Sequence, residues 1–166
     1  MEGVATGSRL IAAPRQVIYS ILADYQEHAR ILPPKYFKKL EVLEGGIGNG
    51  TRIHGEMAVL GRIVTFEHVV TEPEPGRQLL ESDTRGVSTT RFVLDDDGGS
   101  GTRLLIQTNF ITEREGFLGR IERWLTTIML ERIYRQELLL IEMRARSQPR
   151  PENADHGARD DPPSAR

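Results

Sequence analysis

The order in which residue periodicities follow one another restricts this chain more than any single motif. One short strand-like run and one proline-started helix come first. A long series of short alternating segments follows, and a single amphipathic helix of roughly 30 residues, 115–146, closes the folded part. A succession of strands ended by one long helix predicts an α+β fold, with a curved antiparallel sheet of about seven strands gripping that helix. A curved sheet and a straight helix cannot touch along their whole length, so the arrangement leaves an interior space for a ligand.

Local signals place the pieces. Pro14 suits a helix start, because its fixed φ is already helical and its missing N–H would have had no partner there. Val17, Ile18, Ile21, Leu22 and Tyr25 then repeat on one inward face. A second short helix is expected over 26–31, ended by Pro33-Pro34, which gives two short helices after the first strand.

The clearest hairpin joins 51–60 to 62–71 through a tight turn at Leu60-Gly61 or Gly61-Arg62. Either turn puts Ile53, Gly55 and Met57 on one apolar face with Val64, Phe66, His68 and Val70. Arg52, His54, Glu56 and Glu67 fall on the other face. Gly55 then sits opposite Phe66 or His68, where a missing side chain lets the sheet bend or a ligand approach. The next hairpin, 78–84 with 88–95, has two registers. A three-residue loop at Arg85-Gly86-Val87 pairs Leu80 with Phe92 and Ser82 with Thr90 inside, and sets Glu81 against Arg91 outside. A two-residue loop would turn Glu81 and Asp83 inward. The first register is favoured, since it forms a charge pair and avoids burying two carboxylates. The aspartates of 95–101 form a solvated loop before the last strand, 102–111, and lack the spacing of a calcium loop.

Several short matches recur in order: Ile11-Ala12-Ala13-Pro14, Val17-Ile18-Tyr19, Leu22-Ala23-Asp24-Tyr25, Ile31-Leu32-Pro33 and Gly50-Thr51. Glu74-Pro75-Gly76-Arg77, the alternation of Thr90, Phe92 and Leu94, and Gly101-Thr102-Arg103 follow. Together they resemble the SRPBCC superfamily, which holds START lipid-transfer domains, polyketide cyclase/dehydrase-like proteins and the birch-pollen-allergen group. The resemblance spans about residues 4 to 146 and implies a helix-grip fold around a cavity. It does not imply one function, because that superfamily places many ligands and a few chemistries in the same cavity. Its iron-dependent dioxygenases use two histidines and a carboxylate at a spacing that this chain lacks, so the resemblance implies no metal and no cofactor.

Composition narrows the partners. Residues 1–147 are expected to form one domain, since 166 residues with 38% apolar content fit a single core. Residues 148–166 carry four prolines, mixed charge and only alanines as apolar residues, and are expected to be a disordered tail. Lys plus Arg number 22 against 24 Asp plus Glu, so nucleic acid is not the expected partner. The chain has no cysteine, which removes disulfides, thiolate metal sites and Cys nucleophiles. Met1 to Gly7 has neither a basic start nor an apolar run, and no stretch approaches a membrane span; no signal peptide and no integral membrane association are expected, and the cytoplasm is the expected location. A homodimer is compatible with all of this.

No Gly-rich phosphate loop, HExxH, GxSxG or CxxC is present. Two polar residues on apolar faces are candidate site groups. His68 lies among Val64, Phe66 and Val70, where an imidazole can move a proton on an enolisable substrate, hydrogen-bond a carbonyl, or serve as a core histidine with a backbone or tyrosine partner. At 100° per residue, Arg132 falls near the centre of a stripe set by Phe117, Leu118, Ile121, Leu125 and Ile128 and continued by Leu139 and Met143. It either anchors a polar ligand end inside, pairs with a carboxylate such as Glu81, or snorkels to water. The cavity wall is expected from Ile53, Met57, Phe66 and His68, from Leu80, Thr90 and Phe92, from Ile106 and Phe110, and from Ile128 and Arg132 on the helix. The leading expectation is binding or carriage of a small hydrophobic molecule, a lipid, isoprenoid or aromatic polyketide. A polyketide cyclase/dehydratase-type enzyme and a protein-interaction module are the alternatives.

Overall fold

A computed structural model describes residues 2–59, 61–99, 101–112 and 114–148. Strand β1 (Glu2–Ile11) is followed by helix α1 (Arg15–Ala23), a 3-10 turn (His28–Arg30), and strands β2 (Phe37–Glu44), β3 (Arg52–Val59), β4 (Arg62–Glu74), β5 (Gln78–Asp83), β6 (Ser88–Asp96) and β7 (Thr102–Ile111). Helix α2 (Gly116–Ser147) ends the described fold. The seven strands form one antiparallel sheet in the order β1-β7-β6-β5-β4-β3-β2. This is the expected helix-grip α+β architecture. The tail expected from Gln148 lies, from 149 onward, outside the described residues, and His156 with it.

Each sheet junction follows local chemistry. Pro14 stands at the N-cap of α1 in extended geometry, and its carbonyl accepts from the N–H groups of Val17 and Ile18. Ile18, Ile21 and Leu22 bury the inward face of that helix. Between β2 and β3 the chain folds over the end of α1, where Gly46 accepts from the Tyr25 N–H at 2.9 Å and Gly48 donates to the Ala23 carbonyl at 2.9 Å. The Glu74-Pro75-Gly76-Arg77 match is a turn. Gly76 takes φ +79°, and the Arg77 guanidinium ties Glu74 at 3.0 Å to Asp95 at 2.8 Å.

The β3–β4 hairpin has the expected face. Val59 pairs with Arg62, and Ile53, Gly55 and Met57 oppose His68, Phe66 and Val64. A Cβ at Gly55 would come within 2.2 Å of the Phe66 ring, so the ring lies directly over the glycine.

The β5–β6 hairpin corrects the expected register. Leu79 pairs with Phe92 and Glu81 with Thr90, across a loop at 84–87. Leu79, Glu81 and Asp83 therefore point inward, while Leu80 lies half-buried on the other face opposite Arg91. The argument against burying carboxylates failed because it weighed only local partners. Asp83 is held by the Arg85 side chain at 3.2 Å, and Glu81 finds partners in Tyr25 and His28 after α1 and in His68 of β4.

Helix α2 supplies a second correction. Its buried face is Ile133, Tyr134, Glu137, Leu138, Ile141, Glu142 and Ala145, joined by half-buried Met129 and Leu130. Arg132 is exposed and Ile128 only half-buried; Phe117 and Trp124 are 75% and 61% accessible. Five residues along a helix turn it by about 140°, so a face centred on Glu137 leaves Arg132 turned away. Helix α2 runs along β1: a Cβ at Gly7 would come within 2.7 Å of Tyr134 Cβ, and one at Gly3 within 2.9 Å of Arg123 Cγ.

Candidate functional site

The gap between the curved sheet and α2 is a cavity of about 770 Å³. Ile53 and Met57 of β3, Phe66 and His68 of β4, Thr90 and Phe92 of β6, and Phe110 of β7 line it, as expected from the strand faces. Ile106 is fully buried in the core, and it, Leu80, Ile128 and Arg132 are not in the wall. Met129, Leu130, Ile133, Tyr134 and Glu137 take the helix side instead. Exposed Arg62, Arg85 and Arg114 mark the open end, so the rim is basic.

The inner end is polar and acidic. Glu81, 7% accessible, accepts a hydrogen bond from the Tyr25 hydroxyl at 2.8 Å on Oε1. The His28 ring stacks on Tyr25, with centroids 4.6 Å apart and planes within 3°. Its Nδ1 faces the Leu22 carbonyl at 3.2 Å, which must receive a proton and so fixes the Nδ1–H tautomer. Nε2 of neutral His28 thus presents a lone pair toward Glu81 Oε1, 3.9 Å away. Burial pushes His28 below the usual imidazole range and keeps it neutral, although the Glu81 charge opposes this.

On the other carboxylate oxygen, His68 Nδ1 lies 3.5 Å from Oε2. The contact is electrostatic, since Nδ1 makes no hydrogen bond of proper geometry with any described residue. Phe66 covers the His68 ring at 4.8 Å. Burial by itself would raise the Glu81 carboxyl; His68 and the Tyr25 hydroxyl oppose it, and the net shift is below the usual carboxylate range.

Glu137 faces this group from α2. It is 3% accessible, and no hydrogen bond to its carboxyl is seen among the described residues. Burial, reinforced by the negative charge of Glu81, pushes it up to about 8. Glu137 is therefore protonated at neutral pH while Glu81 is ionised. Two carboxyls whose environments drive them apart place a donor and an acceptor in one apolar chamber. One turn back, Tyr134 donates to Thr108, which in turn meets Thr90 at 2.7 Å, so the hydroxyls on that wall satisfy one another.

His68 is the one polar candidate from the sequence that reaches the cavity; Arg132 does not. Tyr25, His28, Glu81 and Glu137 went unselected. One signal was available for Glu137: Leu130, Ile133, Tyr134, Leu138, Ile141 and Ala145 form an inward stripe at 3.6 spacing, with Glu137 inside it. Among the described residues no three His, Asp or Glu side chains are grouped to hold a metal ion, and no helix is long and apolar enough to cross a membrane.

No family model and no curated protein matches the chain. Solved structures do. KanY protein (ms6282) shares 22% identity at a TM-score of 0.76, over 88% of this chain and 99% of that one. The Zhui aromatase/cyclase from Streptomyces sp. R1128 shares 21% identity at 0.73, over 88% and 94%. The chain shares the helix-grip fold of these proteins. TTHA0849 from Thermus thermophilus aligns with the same helix-grip frame at 20% identity and a TM-score of 0.72, over 86% of this chain and 96% of that one. At such identities the likeness concerns the fold, and the site must be read from its own residues.

Proposed function

We propose that the protein binds a small, largely apolar molecule in the cavity under α2, held by shape and apolar contact and oriented by the polar inner end. The observation that supports this most is the cavity itself. Its volume of about 770 Å³ lies within the range of ligand sites, roughly 300 to 1,000 Å³, and half of its lining residues are Ile, Val, Leu, Met or Phe. Native mass spectrometry of the purified protein with graded additions of an apolar fluorescent probe tests it, with one probe per chain as the expected result. Failure of any apolar probe to bind the folded protein would remove the reading.

The pairing of Glu137 with Glu81 favours a second reading, an enzyme of the cyclase/dehydratase type. A protonated and an ionised carboxyl facing one chamber are the components of acid–base work on an enolisable ketone. The similar Zhui protein is described as an aromatase/cyclase. Incubation with a poly-β-ketone thioester analogue separates the two: a carrier returns it unchanged, and an enzyme releases a cyclised or dehydrated product at a rate that Glu81→Gln abolishes.

A further inference from the structure

Glu137 has no evident structural task. Other buried carboxyls in this protein are anchored: Asp83 by Arg85, Glu142 by Arg9 and Arg146, and Glu81 by Tyr25. Glu137 is as deeply buried as any of these, carries no described hydrogen-bond partner, and lines the cavity. A polar group in such a place is costly unless something meets it, and only the cavity contents remain to do so.

We propose that Glu137 is the ligand-orienting residue of the cavity, donating its carboxyl proton in a hydrogen bond to a carbonyl or quinone oxygen of a neutral, apolar, ring-sized ligand. This deepens the binding reading above and rests on it. The ligand enters past the basic rim with its acceptor end foremost, because the inner end already holds the negative charge of Glu81 and would repel a carboxylate or phosphate. The proton on Glu137 makes it a donor at neutral pH, and its loss near pH 8 converts the donor into a second buried anion. The other titratable and charged groups facing this space are Glu81 and Asp83 on β5, His68 on β4, His28 and Tyr25 after α1, Tyr134 and Glu122 on α2, and Arg62, Arg85 and Arg114 at the rim.

The test uses two probes of matched shape, 2-acetylnaphthalene and 2-ethylnaphthalene, with the full chain, Glu137→Gln and Glu137→Leu. Hydrophobicity alone favours the hydrocarbon, so the ratio of ketone to hydrocarbon affinity isolates the hydrogen bond. At pH 6.5 that ratio is expected to be about tenfold higher in the native protein than in Glu137→Leu. It should fall as pH rises from 7 to 9.5 in the native protein. Glu137→Gln, which keeps a donor but cannot ionise, should keep a raised ratio and lose the dependence above pH 7. Equal ratios in the native protein and Glu137→Leu would overturn the proposal while leaving the binding reading intact. If neither probe binds any of the folded proteins, both fall. Thermal melts establish folding, and should Glu137→Leu not fold, a Glu137→Gln profile that still declines above pH 7 would overturn the proposal.

Discussion

A buried carboxylate is tolerable only where its charge is met, and Glu81 and Glu137 solve that problem in opposite ways. Glu81 keeps its charge with Tyr25 and His68 beside it, so Tyr25→Phe, which removes one donor to a buried anion, should cost about 1.5 to 3 kcal/mol in denaturant unfolding. Glu137 gives its charge up, and that has a pH signature. With a folded-state pKa near 8 against 4.5 for the free side chain, the native state alone holds a proton between those values. Stability from this group is full below pH 4.5 and declines as pH rises toward 8, by up to about 1.4 kcal/mol per unit. Glu137→Gln should therefore gain on the native protein progressively from pH 5 to pH 8, and urea midpoints across that range would show it. The Glu81 contribution has the other sign, present above the ordinary carboxylate range and lost as pH falls through its lowered native value. Gly55 and Phe66 were legible in the sequence because one hairpin supplies both. Glu81 was not, since Tyr25, His28 and His68 stand 56, 53 and 13 residues away and no local rule brings them together.

The long helix behaves as two elements. From Leu130 onward it repeats apolar residues against β1 and the core, and Leu138→Ala there should cost about 2 to 5 kcal/mol. In the first half Phe117 and Trp124 stand largely in water, so Trp124→Ser should change stability by less than about 0.5 kcal/mol in the same denaturant assay. The helix's existence and ends were readable from the sequence to within a residue, but its orientation was not. The densest apolar stripe belongs to the more exposed half, while the packed face includes two glutamates, and counting apolar residues ranks those faces in the wrong order. The strands show the same division. Alternation fixed the β3–β4 faces, whereas the β5–β6 register was settled by partners that no strand pattern contains.

At the scale of the molecule, cavity and polarity arise from one geometric fact: α2 packs along the edge strand β1 and leaves a wedge between itself and β3, β4 and β6. Filling that wedge should stiffen the protein, so a bound apolar probe at 100 times its dissociation constant is expected to add about 2.7 kcal/mol of stability, read as a rise in melting temperature with probe concentration. The strand order has a consequence in time as well. β1 lies at a sheet edge with β7 as its partner, and their register joins Glu2 to Ile111 and Ile11 to Thr102. As the chain leaves a ribosome, the first strand must wait for the last before it can pair. Until then Ala5 and Ile11, both buried in the finished fold, have nothing to pack on. Closing so long a loop is entropically slow, and refolding on the millisecond-to-second scale of non-local β topologies is the expected behaviour. Made before the other six strands, β1 is thus the part of the sheet most exposed to rescue or capture by other chains while synthesis proceeds.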